Sequence, residues 1–227
     1  MGEVTKIELP NGAQMPAIGL GTWQLHGMFM GSGSGVRKGM ERSLERLQLD
    51  YIDLVQIHTP FGFQMMEDDE ACFPHCPSLE QKPEVCDLIE TWETLEEYVG
   101  DEKVKAIGVS NFNSRQIQRV LDIATLPIAN QQVECHAYLP QNEMFDFLKE
   151  KNITMTAFAP FGSPGRPDSL KEDELPVLLE EPALQEIAER VGKTPAQLAG
   201  LGLIILGAMV QARFRTYFDF FGGSLSG

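Results

Sequence analysis

The chain has 227 residues, of which 43% are hydrophobic, enough apolar material for one large core, and a single domain over 1–227 is the expectation. Its 33 acidic against 18 basic residues give a net charge of -15, so the average surface repels both nucleic acid and anionic membrane, and neither is an expected partner. The start, MGEVTKIELP, carries no signal pattern, and the longest apolar run, LAGLGLIILGAMV, is shorter than the ~18 residues of a membrane span; a cytoplasmic protein is the default.

In chain order, IGLGTW reads as a short buried strand running into a Gly-bounded turn. Gly31 to Gly35 then alternates Gly and Ser, the composition of a flexible tether, and 24–35 is read as a linker. From Val36 a helix is predicted, because Met40, Leu44 and Leu47 recur at i, i+4, i+7, and YIDLVQI follows as a β-rich run. After a long loop rich in Pro and Met, an apolar helical face runs through Val85, Leu88, Ile89, Trp92 and Val99, with VKAIGV as the next strand. Ser114 is expected to cap a helix with Ile117, Val120, Leu121 and Ala124 inside, followed by a strand through QQVEC. Met144, Phe145 and Leu148 lead to a strand at TMTAFA; Leu184, Ile187, Ala188 and Val191 form a further helical face, and Thr194-Pro195 opens another helix. Strand and helix that alternate in this way imply a parallel α/β sheet, open or closed into a barrel.

In such folds the functional face lies at the carboxyl ends of the strands, where His58, Ser110, Asn111, Glu134 and His136 cluster. A strand-end histidine is otherwise a backbone-bonded residue, Ser110 and Asn111 a helix cap, and Phe158 plain core. A metal reading arises at CFPHC, which brings together Cys72, His75 and Cys76. A structural zinc site needs four suitably spaced ligands and the nearest further candidate is Cys86, so the segment is read as a surface loop, no metal is expected, and all four cysteines, Cys135 included, are taken as free thiols.

The words LPNGAQMPAIGLGTW, SLERLQLDYIDLVQIHTP, VKAIGVSNFN, NQQVECHAYLPQ and TAFAPFGSPGRP, in this order, resemble the aldo-keto reductases, over about 7–23 and 36–198. The resemblance implies an NADPH-dependent reductase of aldehydes and ketones on a (β/α)8 TIM barrel. It places His58 as the active-site histidine that orients the substrate carbonyl. Ser110, Asn111 and Gln132 take the positions that hydrogen-bond the nicotinamide carboxamide, and Phe158 stands where a tyrosine usually stacks on the ring. Ser163 falls in the loop covering the pyrophosphate, and Trp23 on the aromatic wall of the substrate pocket.

Two departures qualify what is inherited. Between Trp23 and Val36 the family has a helix, a strand, a helix and a third strand, which carry its catalytic aspartate, tyrosine and lysine; this chain has only 24–35 there. In 199–227 only TYFDF resembles the family, so the grip on the 2'-phosphate and adenine is not inherited, and NADPH binding is expected to be weak or lost. The expected architecture is an incomplete barrel of five or six strands, lacking about two strands and their helices after the first. It forms either an open twisted sheet or a strained partial barrel, with self-association through exposed edges. The functional expectation is a catalytically impaired reductase; the alternative is a non-catalytic truncated isoform or engineered deletion that at most binds a ligand or partner.

Overall fold

The computed structural model describes residues 5–19, 33–63, 83–84, 87–163 and 177–200. Strands β1 (Lys6–Glu8) and β2 (Gln14–Pro16) pair as an antiparallel hairpin. The chain reverses at Asn11-Gly12, where Gly12 takes φ +82°, a left-handed conformation that costs glycine nothing. Leu9 and Met15 of this hairpin pack on Leu54, Ala106 and Ala129, and Asn11 Nδ2 donates to the Lys105 carbonyl at 2.8 Å, so the hairpin covers the amino-terminal end of the main sheet. Beyond it, Ile18, the first residue of the expected strand at IGLGTW, is 67% exposed and extends no strand, and the residues after Gly19 lie outside the described ones.

Helix α1 (Gly33–Leu47) begins earlier than Val36, which corrects the tether reading of Gly33, Ser34 and Gly35. A glycine costs a helix ~1 kcal/mol relative to alanine, so propensity does not explain this first turn; the burial of Val36 and Met40 against α2 (Leu88–Gly100) does. The apolar face ends sooner than its periodicity suggested, with Leu47 57% exposed where the chain leaves the helix through left-handed Gln48.

The core of the fold is a parallel sheet in the order β3-β6-β7-β8, built from β3 (Ile52–Ile57), β6 (Val104–Ser110), β7 (Asn130–Glu134) and β8 (Thr154–Phe158). Between β3 and α2 lies a two-residue antiparallel ladder of β4 (Gly62–Phe63) with β5 (Pro83–Glu84). Helices α2, α3 (Ser114–Leu121) and α4 (Asn142–Glu150) bury Trp92, Leu95, Ile117, Val120 and Leu148 against Val55, Ile57, Ile107 and Val109. Each such side chain contributes about 1.5–3 kcal/mol by burial. The cap of α3 is Asn113, one residue before the expected Ser114: its Oδ1 accepts from Gln116 N while Gln116 Oε1 accepts from Asn113 N, both at 2.9 Å. Helix α5 (Pro182–Arg190) follows a short 3-10 turn, and Thr194 caps the next helical turn with Gln197, as its Thr-Pro signal implied.

The expected five or six strands are four in the parallel sheet among the described residues, and those four do not close into a barrel. Of IGLGTW only Ile18 and Gly19 are described, and both fall outside the sheet. Among the described residues no helix is long and apolar enough to cross a membrane.

Candidate functional site

The pairing register decides which side chains share a face. Gln56 is level with Gly108, Ser110 with Gln132, Asn130 with Thr154 and Glu134 with Phe158, and alternate residues of a strand point to the same side. Val55, Ile57, Ile107 and Val109 turn toward the helices, so the opposite face carries Gln56, Ser110, Asn130, Gln132, Glu134 and Phe158. It is a polar surface ending at the carboxyl edge of the strands.

At that edge three neighbouring strand ends are tied together by Asn111. Its backbone N–H donates to the Gln132 carbonyl at 2.9 Å, and its Nδ2 donates to the His58 carbonyl at 3.0 Å and to Ser110 Oγ at 3.2 Å. The residue takes φ +62°, which asparagine tolerates better than most non-glycine residues, and the turn directs the chain from β6 toward α3. Ser110 and Asn111 are therefore not the cap of α3, a role filled by Asn113. Gln131, fully buried on the helix side, holds the same connection from beneath by donating Nε2 to the Phe112 carbonyl at 2.7 Å.

His58, Ser110, Asn111 and Gln132 are thus brought together, and Phe158 lies on the same face one strand away, half-buried, its carbonyl accepting from Cys135 N at 3.2 Å. Ser163 stands apart, in a turn where Ala159, Gly162 and Ser163 all have positive φ and Gly162 N–H closes onto the Ala159 carbonyl at 3.0 Å. Trp23 and the CFPHC segment lie outside the described residues, as do Cys86 and 201–227. No group of three metal-ligating side chains occurs among the described residues.

His58 is exposed to solvent, yet neighbouring protein removes enough water from the imidazole to push its pKa below the ordinary histidine value. At neutral pH the ring is the uncharged form. Glu134 Oε1 and His136 Nε2 approach to 3.2 Å at the end of β7, and Gln141 Nε2 donates to the Glu134 carbonyl at 3.0 Å, fastening the connection to α4. Cys135 between them is buried, and burial pushes its thiol up to about 11, so it is protonated at neutral pH.

Sequence patterns did not single out Gln56, Asn130 and Thr154, although they lace the polar face together. Gln132 Nε2 donates to Gln56 Oε1 at 3.0 Å, and Gln56 Nε2 donates to Asn130 Oδ1 at 2.8 Å and to the Val109 carbonyl at 3.3 Å. Asn130 Nδ2 donates to Thr154 Oγ1 at 2.9 Å, and the Thr154 hydroxyl to the Ala129 carbonyl at 2.6 Å. The available signal was an amide set among apolar residues in IDLVQI, on the face opposite Val55 and Ile57.

The aldo/keto reductase family profile matches residues 22–200. The chain belongs to the aldo/keto reductase family. Among curated proteins, aldo-keto reductase family 1 member A1 of Gallus gallus is 42% identical over 163 residues, 72% of this chain and 48% of the relative. Its counterparts from Xenopus tropicalis and Homo sapiens are 40% and 38% identical over the same share of this chain, covering 48% and 49% of their own lengths. This aldo-keto reductase chain therefore spans about half the length of the curated relatives it matches.

Proposed function

We propose that this aldo-keto reductase chain retains the edge that receives the nicotinamide end of NADPH and has lost most of the power to reduce aldehydes and ketones. The observation that carries the reading is the junction at Asn111, which holds Ser110, Gln132 and the His58 backbone at adjacent strand ends. Both N–H bonds of Asn111 Nδ2 and one of Gln132 Nε2 are engaged, and the site offers a carboxamide the Asn111 and Gln132 oxygens as acceptors and the Ser110 hydroxyl as a donor. Phe158, on the face shared with Gln132, supplies a flat apolar surface for the ring. Ser163, in its left-handed turn, is assigned to the phosphates, and Trp23 to the substrate side.

NADPH, when bound, supplies the hydride. The chain's own contribution is orientation: a neutral His58 donates a hydrogen bond to a substrate carbonyl but is a poor proton source at pH 7. The resemblance puts the aspartate, tyrosine and lysine that carry the proton in the stretch that 24–35 replaces. Loss of a positioned general acid costs about 100- to 10,000-fold in rate. A domain over 1–227, located in the cytoplasm, completes this reading.

Fluorescence titration with NADPH and NADH tests it. Weak saturable binding with little preference for NADPH is expected; micromolar affinity with a clear NADPH preference overturns the assignment of a lost phosphate grip. The second reading, a non-catalytic isoform or engineered deletion that binds at most a ligand or partner, is favoured by the open sheet, in which β3 and β8 each pair on one side only among the described residues. Such edges favour self-association, and a concentration-dependent shift in sizing chromatography is its signature.

A further inference from the structure

We infer that Gln56 is a positioning residue which fixes the amide of Gln132 with its oxygen turned to the ligand, so that the site selects a carboxamide N–H donor over a carboxylate. The inference rests on the nicotinamide reading of Gln132 given above. Its basis is the direction of the hydrogen-bond chain, which two acceptor-only groups determine.

The Ala129 carbonyl ends the chain and can only accept, so the Thr154 hydroxyl at 2.6 Å must give its proton there. Thr154 Oγ1 is then an acceptor for Asn130, which presents Nδ2 to it and so turns Oδ1 toward Gln56. Gln56 must answer with Nε2, and its Oε1 consequently faces Gln132, which donates Nε2 and keeps Oε1 unspent by the chain. The Val109 carbonyl, 3.3 Å from Gln56 Nε2, fixes the same direction independently. Reversing all three amides would set the Thr154 oxygen against the Ala129 carbonyl and Gln56 Oε1 against the Val109 carbonyl, two acceptor-to-acceptor contacts on a half-buried face. The chain crosses β6 at Gly108, the residue level with Gln56, where no side chain stands in the way.

A ligand approaching Gln132 from the side of Oε1 therefore meets a lone pair. The amide N–H of nicotinamide satisfies it; the carboxylate of nicotinic acid opposes it. The test uses the full chain, NADP+ and its nicotinic acid counterpart, titrated by NMR for the wild type and Gln56→Leu. The wild type is expected to favour the carboxamide by about tenfold or more. Gln56→Leu frees Gln132 to rotate and brings the ratio near one. A purely structural role weakens both ligands together and leaves the ratio unchanged, so an unchanged ratio in Gln56→Leu overturns the inference.

Hydrogen exchange of the Gln132 side-chain amide separates this from the cofactor reading. Slow exchange in the wild type and fast exchange in Gln56→Leu establish the lock even where neither dinucleotide binds, an outcome that defeats only the nicotinamide assignment. Fast exchange in the wild type defeats the lock itself.

Discussion

Replacing Gly108 by alanine places a methyl group where the sheet has no room for it. A Cβ at this position lies 2.5 Å from the Asn130 carbonyl oxygen and 3.3 Å from Asn130 C and N, all of them backbone atoms of the neighbouring strand. Normal carbon–oxygen contact is ~3.3 Å or more, so β6 and β7 must separate by several tenths of an ångström at the point where Gln56 spans them. Overpacking of this kind costs about 1–3 kcal/mol, and weakening one or two bonds of the Gln56 chain adds ~1 kcal/mol each. The reduced freedom of the unfolded chain returns about 0.4–1 kcal/mol. The net loss is about 1–4.5 kcal/mol, a fall in Tm of roughly 2–18 °C for a chain of this size. Gly100→Ala is the control: nothing lies within 4 Å of its Cβ, and alanine suits the end of α2. Thermal and urea melts of both variants decide the matter. A Gly108→Ala protein within ~0.5 kcal/mol of the wild type refutes the reasoning, because that change is no larger than an ordinary surface substitution.

Glu96 accepts from Trp92 Nε1 at 2.8 Å, Thr125 N and Oγ1 at 2.7 Å and Leu126 N at 2.9 Å, clamping α2 to the segment before β7. Burial pushes its carboxyl up, but the four donated bonds outweigh that and hold it below the ordinary value. Its stabilisation is complete above the unfolded pKa, near 4.5, and is lost as pH falls from there through the lower folded value. Denaturant melts from pH 6 to 3 should show Glu96→Gln less stable at pH 6 and less sensitive to acid than the wild type; parallel curves contradict this. Cys135, with its thiol raised to about 11, should resist iodoacetamide at pH 8 in the native protein and react after denaturation, as read by peptide mass spectrometry; prompt native labelling contradicts its burial.

The β-rich runs YIDLVQI, VKAIGV, QQVEC and TMTAFA located β3, β6, β7 and β8 within a residue or so. Periodicity marked α2 to α5 through their buried stripes. The hairpin was legible but unread: Asn11-Gly12 between KIE and QMP is a strong turn signal. Gly33 to Gly35 deceived because composition reports local preference, whereas tertiary burial of Val36 and Met40 sets where α1 starts. The strand-end cluster followed from the family words and the position of each residue in its strand. The Gln56 to Thr154 chain did not, since it joins three strands through a register that only the folded sheet displays.

The loss of catalysis is tested by NADPH consumption with 4-nitrobenzaldehyde, measured for this chain, its His58→Ala variant and a full-length member A1 relative. Turnover at least about 100-fold below the relative is expected, with the remaining activity falling further in His58→Ala. Turnover close to that of the relative, or residual turnover indifferent to His58→Ala, contradicts it.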